Sequence, residues 1–273
     1  MAYPEVSIDQ MSYLALHLAM KEVVDGQEIQ TGSGTGFLYK NGGRYYLVSN
    51  WHVLTGLDPV TKRTKTARPR LAEIPILKSK TPIQWRRIRK ALYEDEDMDK
   101  PLFLVHPEHG CRIDVAALPL NLPEGLMPTL LEDLDLDDSP LELIDDVYIL
   151  GFPYRRTGGG NFPIVKRGSI ASEPAIPIEE LPKMYIDTAS REGMSGAPVV
   201  YRRIGIHGLK NGLLTSKSSV GEIRGFVGVY SGRIKDEDDQ DNLKAQLGIV
   251  WRKEVIDQII DGGERESIDN MTN

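Results

Sequence analysis

The chain has a single cysteine, Cys111, among its 273 residues. No internal disulfide can form, and no cysteine cluster can hold a structural zinc. Also missing is any run of 18 apolar residues, the length a membrane-spanning helix needs. The first residues, "MAYPEVSIDQMSYLAL", carry acids and no basic stretch, so they do not read as a secretory signal. A chain with one thiol and no such signal is expected in a reducing compartment, the cytoplasm. Positive charge is in deficit: 33 Lys and Arg stand against 40 Asp and Glu, a net charge of −7. That balance argues against nucleic acid as the main partner. The basic runs "TKRTKTARPR" (61–70) and "WRRIRK" (85–90) are expected to be solvated loops or strand rims. The acidic runs at 93–99, 132–138 and 235–241 read the same way.

Helix is scarce as well. Only "RKEVIDQIID" (252–261) spaces apolar residues at the helical period, with Val255, Ile256, Ile259 and Ile260 on one face and Gly262-Gly263 as the stop. Strand patterns fill the rest. "YLALHLAM" (13–20) alternates Leu14, Leu16, Leu18 and Met20 on one face, which puts His17 on the polar, surface side. "GFLYK" (36–40) and "RYYLVSN" (44–50) flank Asn41-Gly42-Gly43, a strong hairpin signal because Asn and Gly accept positive φ. Further strands are expected at 83–92, 102–106, 114–120, 146–151, 163–171, 184–188, 197–202, 225–231 and 246–251. The course of the charged segment 57–100 is not set by its pattern. Alternating βα units are absent, so a dinucleotide-binding or α/β-hydrolase fold fits badly. "TGSGTGF" (31–37) lacks the Gly-Lys-Ser/Thr of a phosphate loop and leads into a strand. The expected architecture is all-β, with two barrels or sheets and a C-terminal helix. The first half is placed at 12–122, an acidic connection at 123–140 and the second half at 141–251. The helix follows at 252–262 and a tail at 263–273.

The chemistry turns on "REGMSGAPVV" (191–200), where Ser195 stands between Gly193-Met194 and Gly196. A Gly-Ser turn joining two strands is one reading. A nucleophile is the other, and it needs a base to take its proton and an acid to orient that base. Among five histidines, His52 in "SNWHVLTG" sits where a strand ends and a turn begins, a place that projects an imidazole into a cleft. A strand-end histidine with no role is the alternative. Asp114 opens the apolar "DVAALPL", where a carboxylate needs polar partners, although turn capping would also place it there. The order His, Asp, Ser excludes an α/β-hydrolase, which requires Ser, acid, His. His106 and His109 in "VHPEHG" have no second ligand pair, so no metal is expected.

Taken together, "TGSGTGFLYKNGGRYYLVSNWHVLTG", "DVAALPL" and "GMSGAPVV" resemble the three signature blocks of the chymotrypsin-like (trypsin-like) serine peptidases. The resemblance is strongest to the disulfide-free bacterial branch that includes HtrA-type domains. It extends through "VKRGSIASEP", "GFVGVYSGRI" and "QLGIVWRKEVIDQII", roughly residues 12–262. It implies two packed Greek-key six-stranded barrels and a Ser-His-Asp triad of His52, Asp114 and Ser195. In that triad His52 Nδ1 would meet an Asp114 oxygen. His52 Nε2 would meet Ser195 Oγ, or lie slightly farther off without substrate. The backbone N–H groups of Gly193 and Ser195 would form the oxyanion hole.

The resemblance also places Ser231 on the strand that pairs with substrate, Gly248 on a wall of the specificity pocket, Ala189 on its floor and Glu192 at its rim. An uncharged, small or medium apolar P1 residue follows from Ala189, with Glu192 and Asp187 as the acids that could oppose it. One departure stands out. Digestive members carry Asp before the nucleophile, to receive a new N-terminus after cleavage, and here that residue is Met194. The implied function is a serine endopeptidase without cofactor, acting on protein or peptide substrates. By analogy it would be regulated, with a protein partner, within a bacterial defence or quality-control system. The competing function is a peptidase-fold binding module with little proteolysis of its own. A role on nucleic acid through 61–70 and 85–90 is a third and weaker option.

Overall fold

Two antiparallel sheets of six strands each form the framework of the described residues. The computed structural model describes residues 7–189, 191–209, 211–234 and 246–265. The acidic run at 235–241 and most of the 263–273 tail lie outside these described residues. The first sheet contains β1 (Ala15–Val24), β2 (Gln27–Asn41), β3 (Arg44–Ser49), β4 (Leu71–Lys80), β5 (Ile83–Ala91) and β6 (Ala116–Leu120). Its spatial order is β5-β4-β1-β2-β3-β6. The second contains β7 (Asp146–Gly151), β8 (Ile164–Ile170), β9 (Lys183–Asp187), β10 (Pro198–His207), β11 (Ser219–Arg233) and β12 (Leu247–Arg252). These six close into a barrel in the order β10-β11-β12-β9-β8-β7.

The all-β expectation holds, with one difference in the first half. Its edge strands β5 and β6 are joined only by isolated contacts. Leu102 N–H donates to the Leu92 carbonyl at 2.8 Å, while Leu104 and Ala117 exchange bonds of 2.8 and 3.1 Å. The strand expected at 102–106 is therefore a set of bridges across the opening. The β2–β3 hairpin forms as its sequence directs, with Asn41 opposite Arg44 and with Gly42 at φ 57° and Gly43 at φ 80°.

Two elements differ from the sequence reading. The charged segment 57–100 contains a full strand, β4, whose Ala72, Ile74, Ile76 and Leu77 are buried. Its Glu73 accepts Lys21 at 2.7 Å and Arg87 at 3.0 Å, and these cations, Lys21 first, hold its carboxyl below the usual range. Arg89 likewise meets Glu28 at 2.9 Å. Much of the basic run at 85–90 is thus a neutralised strand rim. His17, expected on the surface, lies half-buried with its ring 5.0 Å from that of Phe152. The reason is that the polar face of β1 meets the second half instead of water. Burial, then Arg155 and Arg87, hold its imidazole below the ordinary value.

The chain ends cross over between the halves. Helix α2 (Glu254–Gly262) follows the last strand of the second half. It buries Val255, Ile256, Ile259 and Ile260 among Leu14, Phe37, Val48, Ile113 and Val115 of the first. Gly263, at φ 66°, stops it and donates its N–H to the Ile259 carbonyl at 3.1 Å. In the other direction, Asp9 before β1 meets Arg224 of β11 at 2.9 Å. Each buried aliphatic side chain on α2 contributes about 1.5–3 kcal/mol. Ile259→Ala is expected to lower the stability of the whole chain by about 2–5 kcal/mol, read from urea unfolding.

Candidate active site

The seam between the halves is where the sequence-predicted residues gather. β3 ends at Ser49, and the chain turns through a single helical turn, α1 (Trp51–Thr55). Gly56, at φ 74°, closes it by donating to the His52 carbonyl at 2.9 Å. Trp51 is fully buried and anchors the turn, so His52 beside it projects to the seam. Asp114, just before β6, is 4% exposed. A carboxylate this buried is costly without donors, and it has three. Its Oδ1 accepts the His52 backbone N–H at 2.9 Å. Its Oδ2 meets His52 Nδ1 at 2.6 Å and accepts the Ser231 hydroxyl. Asn50 Nδ2 adds a bond of 2.6 Å to the Asp114 carbonyl. With Nδ1 carrying the proton toward a carboxylate, Nε2 is the acceptor of the neutral ring.

Ser195 lies in the loop before β10, held by contacts that only glycine permits. A Cβ on Gly193, at φ 92°, would lie 2.2 Å from the Phe152 carbonyl oxygen. One on Gly196, at φ 84°, would lie 2.1 Å from the Thr35 carbonyl oxygen and 2.3 Å from Ser49 Oγ. Thr35 fixes the loop from the first half. Its N–H donates to the Ser195 carbonyl and its hydroxyl to the Gly193 carbonyl, both at 2.8 Å. The Glu192 carbonyl accepts the Tyr154 N–H at 2.8 Å. In a trans peptide C=O and N–H point opposite ways, so the Gly193 N–H is directed away from Tyr154. Among the described residues neither that N–H nor the one on Ser195 has a backbone partner.

Gly232 closes the arrangement from the second half, since a Cβ there would lie 4.0 Å from Ser195 Oγ. Its neighbour Ser231 reaches Asp114. Among the described residues no hydrogen bond joins Ser195 Oγ to His52 Nε2.

The trypsin-like peptidase domain family matches residues 34–206, more than half of the chain, a span that contains His52, Asp114 and Ser195. The chain belongs to this family. Among the solved structures similar to it are two of one protease. The Rv3671c protease from M. tuberculosis in its active form has 18% identity and a TM-score of 0.46, covering 94% of this chain and 83% of that one. The Rv3671c protease in its inactive form has 16% identity and a TM-score of 0.45, covering 92% and 89%. A comparison with curated proteins finds no match.

Within this peptidase domain, Met194 is fully buried in the core of the second barrel beside Ile149 and Val199. An apolar plug thus occupies the position of the digestive enzymes' charged one. The four residues predicted to bind substrate are spread differently. Glu192 is exposed and Ala189 half-buried. Gly248 pairs with Ile186 and Arg233, and a Cβ there would lie 2.6 Å from the Tyr230 ring and 3.2 Å from Ile186 and Thr188. Tyr230 is a neighbour the sequence reading missed. Asp187 is exposed on β9, opposite Leu247 and Ser169. The Ser231 hydroxyl was also missed as an Asp114 partner, its signal being a lone polar residue in the otherwise apolar "FVGVYSG".

His106 is engaged locally. Nδ1 faces the Glu108 and His109 N–H groups at 3.2 and 3.3 Å, and Nε2 faces Gln258 at 3.1 Å. Among the described residues no helix is long and apolar enough to cross a membrane. Ser231→Ala leaves the buried carboxylate one donor short. A hydrogen bond to a charged group is worth about 1.5–3 kcal/mol. The variant is expected to lose stability of that order in urea unfolding, and Ser231→Thr, which keeps the hydroxyl, to recover most of it.

Proposed function

We propose that this peptidase domain is a serine endopeptidase that cuts protein substrates through an acyl-enzyme. His52 Nε2, in the neutral ring, takes the Ser195 proton as Oγ attacks the scissile carbonyl carbon. The developing oxyanion is met by the Gly193 and Ser195 N–H groups, each contributing about 3 kcal/mol in sites of this kind. The C–N bond then breaks, and the leaving amine takes the proton from His52. Water, deprotonated by His52, attacks the Ser195 ester; the bond from its carbonyl carbon to Oγ breaks, Oγ takes the proton back from His52, and the acid leaves. Asp114 stays ionised throughout and steadies the imidazolium.

The observation that carries this reading is the buried Asp114 carboxylate, gripping His52 through both Nδ1 and the backbone N–H. A binding module would gain nothing from burying a charge to fix one histidine tautomer. The apolar Met194 leaves no carboxylate for a new N-terminus to bind, so control comes from outside the site. This suits a regulated enzyme in the cytoplasm, acting with a protein partner in bacterial defence or quality control. A fluorophosphonate probe should label the wild-type chain and leave Ser195→Ala unlabelled. An unlabelled wild type would overturn the assignment in favour of the binding module.

The specificity reading is an uncharged, small or medium apolar P1 residue. Ile186, Thr188 and the Tyr230 ring crowd Gly248 and bring no charge to the side chain entering there. An unpaired Lys or Arg buried against them would be costly. A peptide library is expected to be cut after small apolar residues by wild type and Glu192→Ala alike. Strong cutting after Arg or Lys that disappears in Glu192→Ala would contradict it.

A further inference from the structure

β10 and β11 outrun the barrel they belong to. β7 pairs with β10 only at Val199–Tyr201, and β12 pairs with β11 only from Gly228 to Arg233. Beyond these, among the described residues, Arg202–His207 and Ser219–Arg224 have no other strand beside them. The result is a free two-stranded ribbon, about 14 Å long from Arg203 to His207 at the usual strand rise. Such a ribbon is marginal in water when nothing covers it.

Its two faces are unlike. Residues directly opposite share a face, so Ile204 and Glu222, Ile206 and Val220, and Arg202 and Arg224 stand on one side. Val220 is 81% exposed and Ile204 69%. The other face carries the opposed pair Gly205 and Gly221, around which a Cβ would meet open space. Leu209, Leu213 and Leu214 add exposed apolar surface at the tip, Leu213 at 70%. Six large apolar side chains this exposed are a concentration of the kind that marks interaction surfaces.

The two ends of the ribbon differ in charge: Lys217 is exposed at the tip, whereas at the base Arg202 and Arg203 are paired with Glu222 and Asp145. From Arg202 to Gly221 the sequence has Arg202, Arg203, Lys210, Lys217 and His207, and no acid. At the base, on the face of Glu222 and Arg224, opens a cavity of about 640 Å³. Met11, Leu134 and Leu136 give it an apolar lining, and Asp9, Asp135 and Asp138 give it acids. Asp9 is paired with Arg224 and Asp138 with Lys253, whereas Asp135 is exposed and unpaired among the described residues.

We propose that the ribbon is the interface for a second copy of this chain. Two ribbons lie face to face and antiparallel about a two-fold axis, each tip seated in the acidic cavity at the other's base. The isoleucine–valine face then meets its own copy, as an isologous contact requires. Lys217 at one tip meets the partner's Asp135. A parallel pairing would set cation against cation. An anionic bilayer would use the tip leucines and lysines but leave the mid-ribbon isoleucines and the acidic cavity idle. The proposal does not depend on the peptidase chemistry. Ser195 precedes β10 while the ribbon leaves its far end, so both sites stay open in the dimer.

Sedimentation velocity on the full chain, across about 1–100 µM, tests it. A concentration-dependent dimer is expected. Ile204→Ser with Ile206→Ser should weaken it by at least about tenfold. Asp135→Lys alone should weaken it, and adding Lys217→Glu should restore it. These side chains are exposed, so unfolding midpoints and fluorophosphonate labelling should match wild type and show intact folds. A wild type that stays monomeric, or a dimer unmoved by the ribbon substitutions, would overturn the proposal. So would a charge exchange that fails to restore association. A monomer that sediments with phosphatidylserine vesicles and not phosphatidylcholine ones would assign the ribbon to membranes instead.

Discussion

A single buried carboxylate sets the conditions for the rest of the molecule. Asp114 sits almost wholly out of water, and its donors come from both halves of the chain: His52 from α1 and Ser231 from β11. Losing a hydrogen bond to a charged group costs about 1.5–3 kcal/mol. The halves therefore cannot separate without stranding that charge. Docking of the two sheets and assembly of the site are one event. Thr35 works in the same direction, binding the Gly193 and Ser195 carbonyls from β2.

The loop around Ser195 shows what such close docking demands of sequence. The Phe152 carbonyl stands where a Gly193 side chain would be, and the Thr35 carbonyl where a Gly196 side chain would be. Two glycines around Ser195 are thus forced by backbone approach as well as by positive φ. Met194 between them points into the second core, so hydrophobic packing adds to the Thr35 bonds in holding the loop in place.

Much of this was legible in the residues. Asn41-Gly42-Gly43 specifies its hairpin by backbone sterics alone, and the spacing of Val255, Ile256, Ile259 and Ile260 specifies α2. His52, Asp114 and Ser195 could be singled out because each sits at an abrupt change from strand to turn. β4 was hidden because Glu73 and Pro75 interrupt its apolar pattern, and the carboxylate is tolerated only because Lys21 and Arg87 reach it from neighbouring strands. His17 was misplaced because alternation reveals two faces of a strand but not what covers the second. The long ribbon was missed since Gly205 and Gly221 interrupt its side-chain pattern, whereas paired strands with open space around them accommodate glycine. The Ser231 contact joins residues 117 positions apart, beyond any local pattern.

The crossing of the chain ends has a consequence for synthesis. Phe37, Val48 and Ile113 belong to the half that leaves the ribosome first, yet the helix covering them begins at Glu254. Until that helix emerges, the early half keeps an uncovered apolar surface and an incomplete core. Ser231, which secures Asp114, is also translated late. A partly made chain that lacks β11 and α2 thus has neither the Ser231 bond to Asp114 nor the cover over its first sheet.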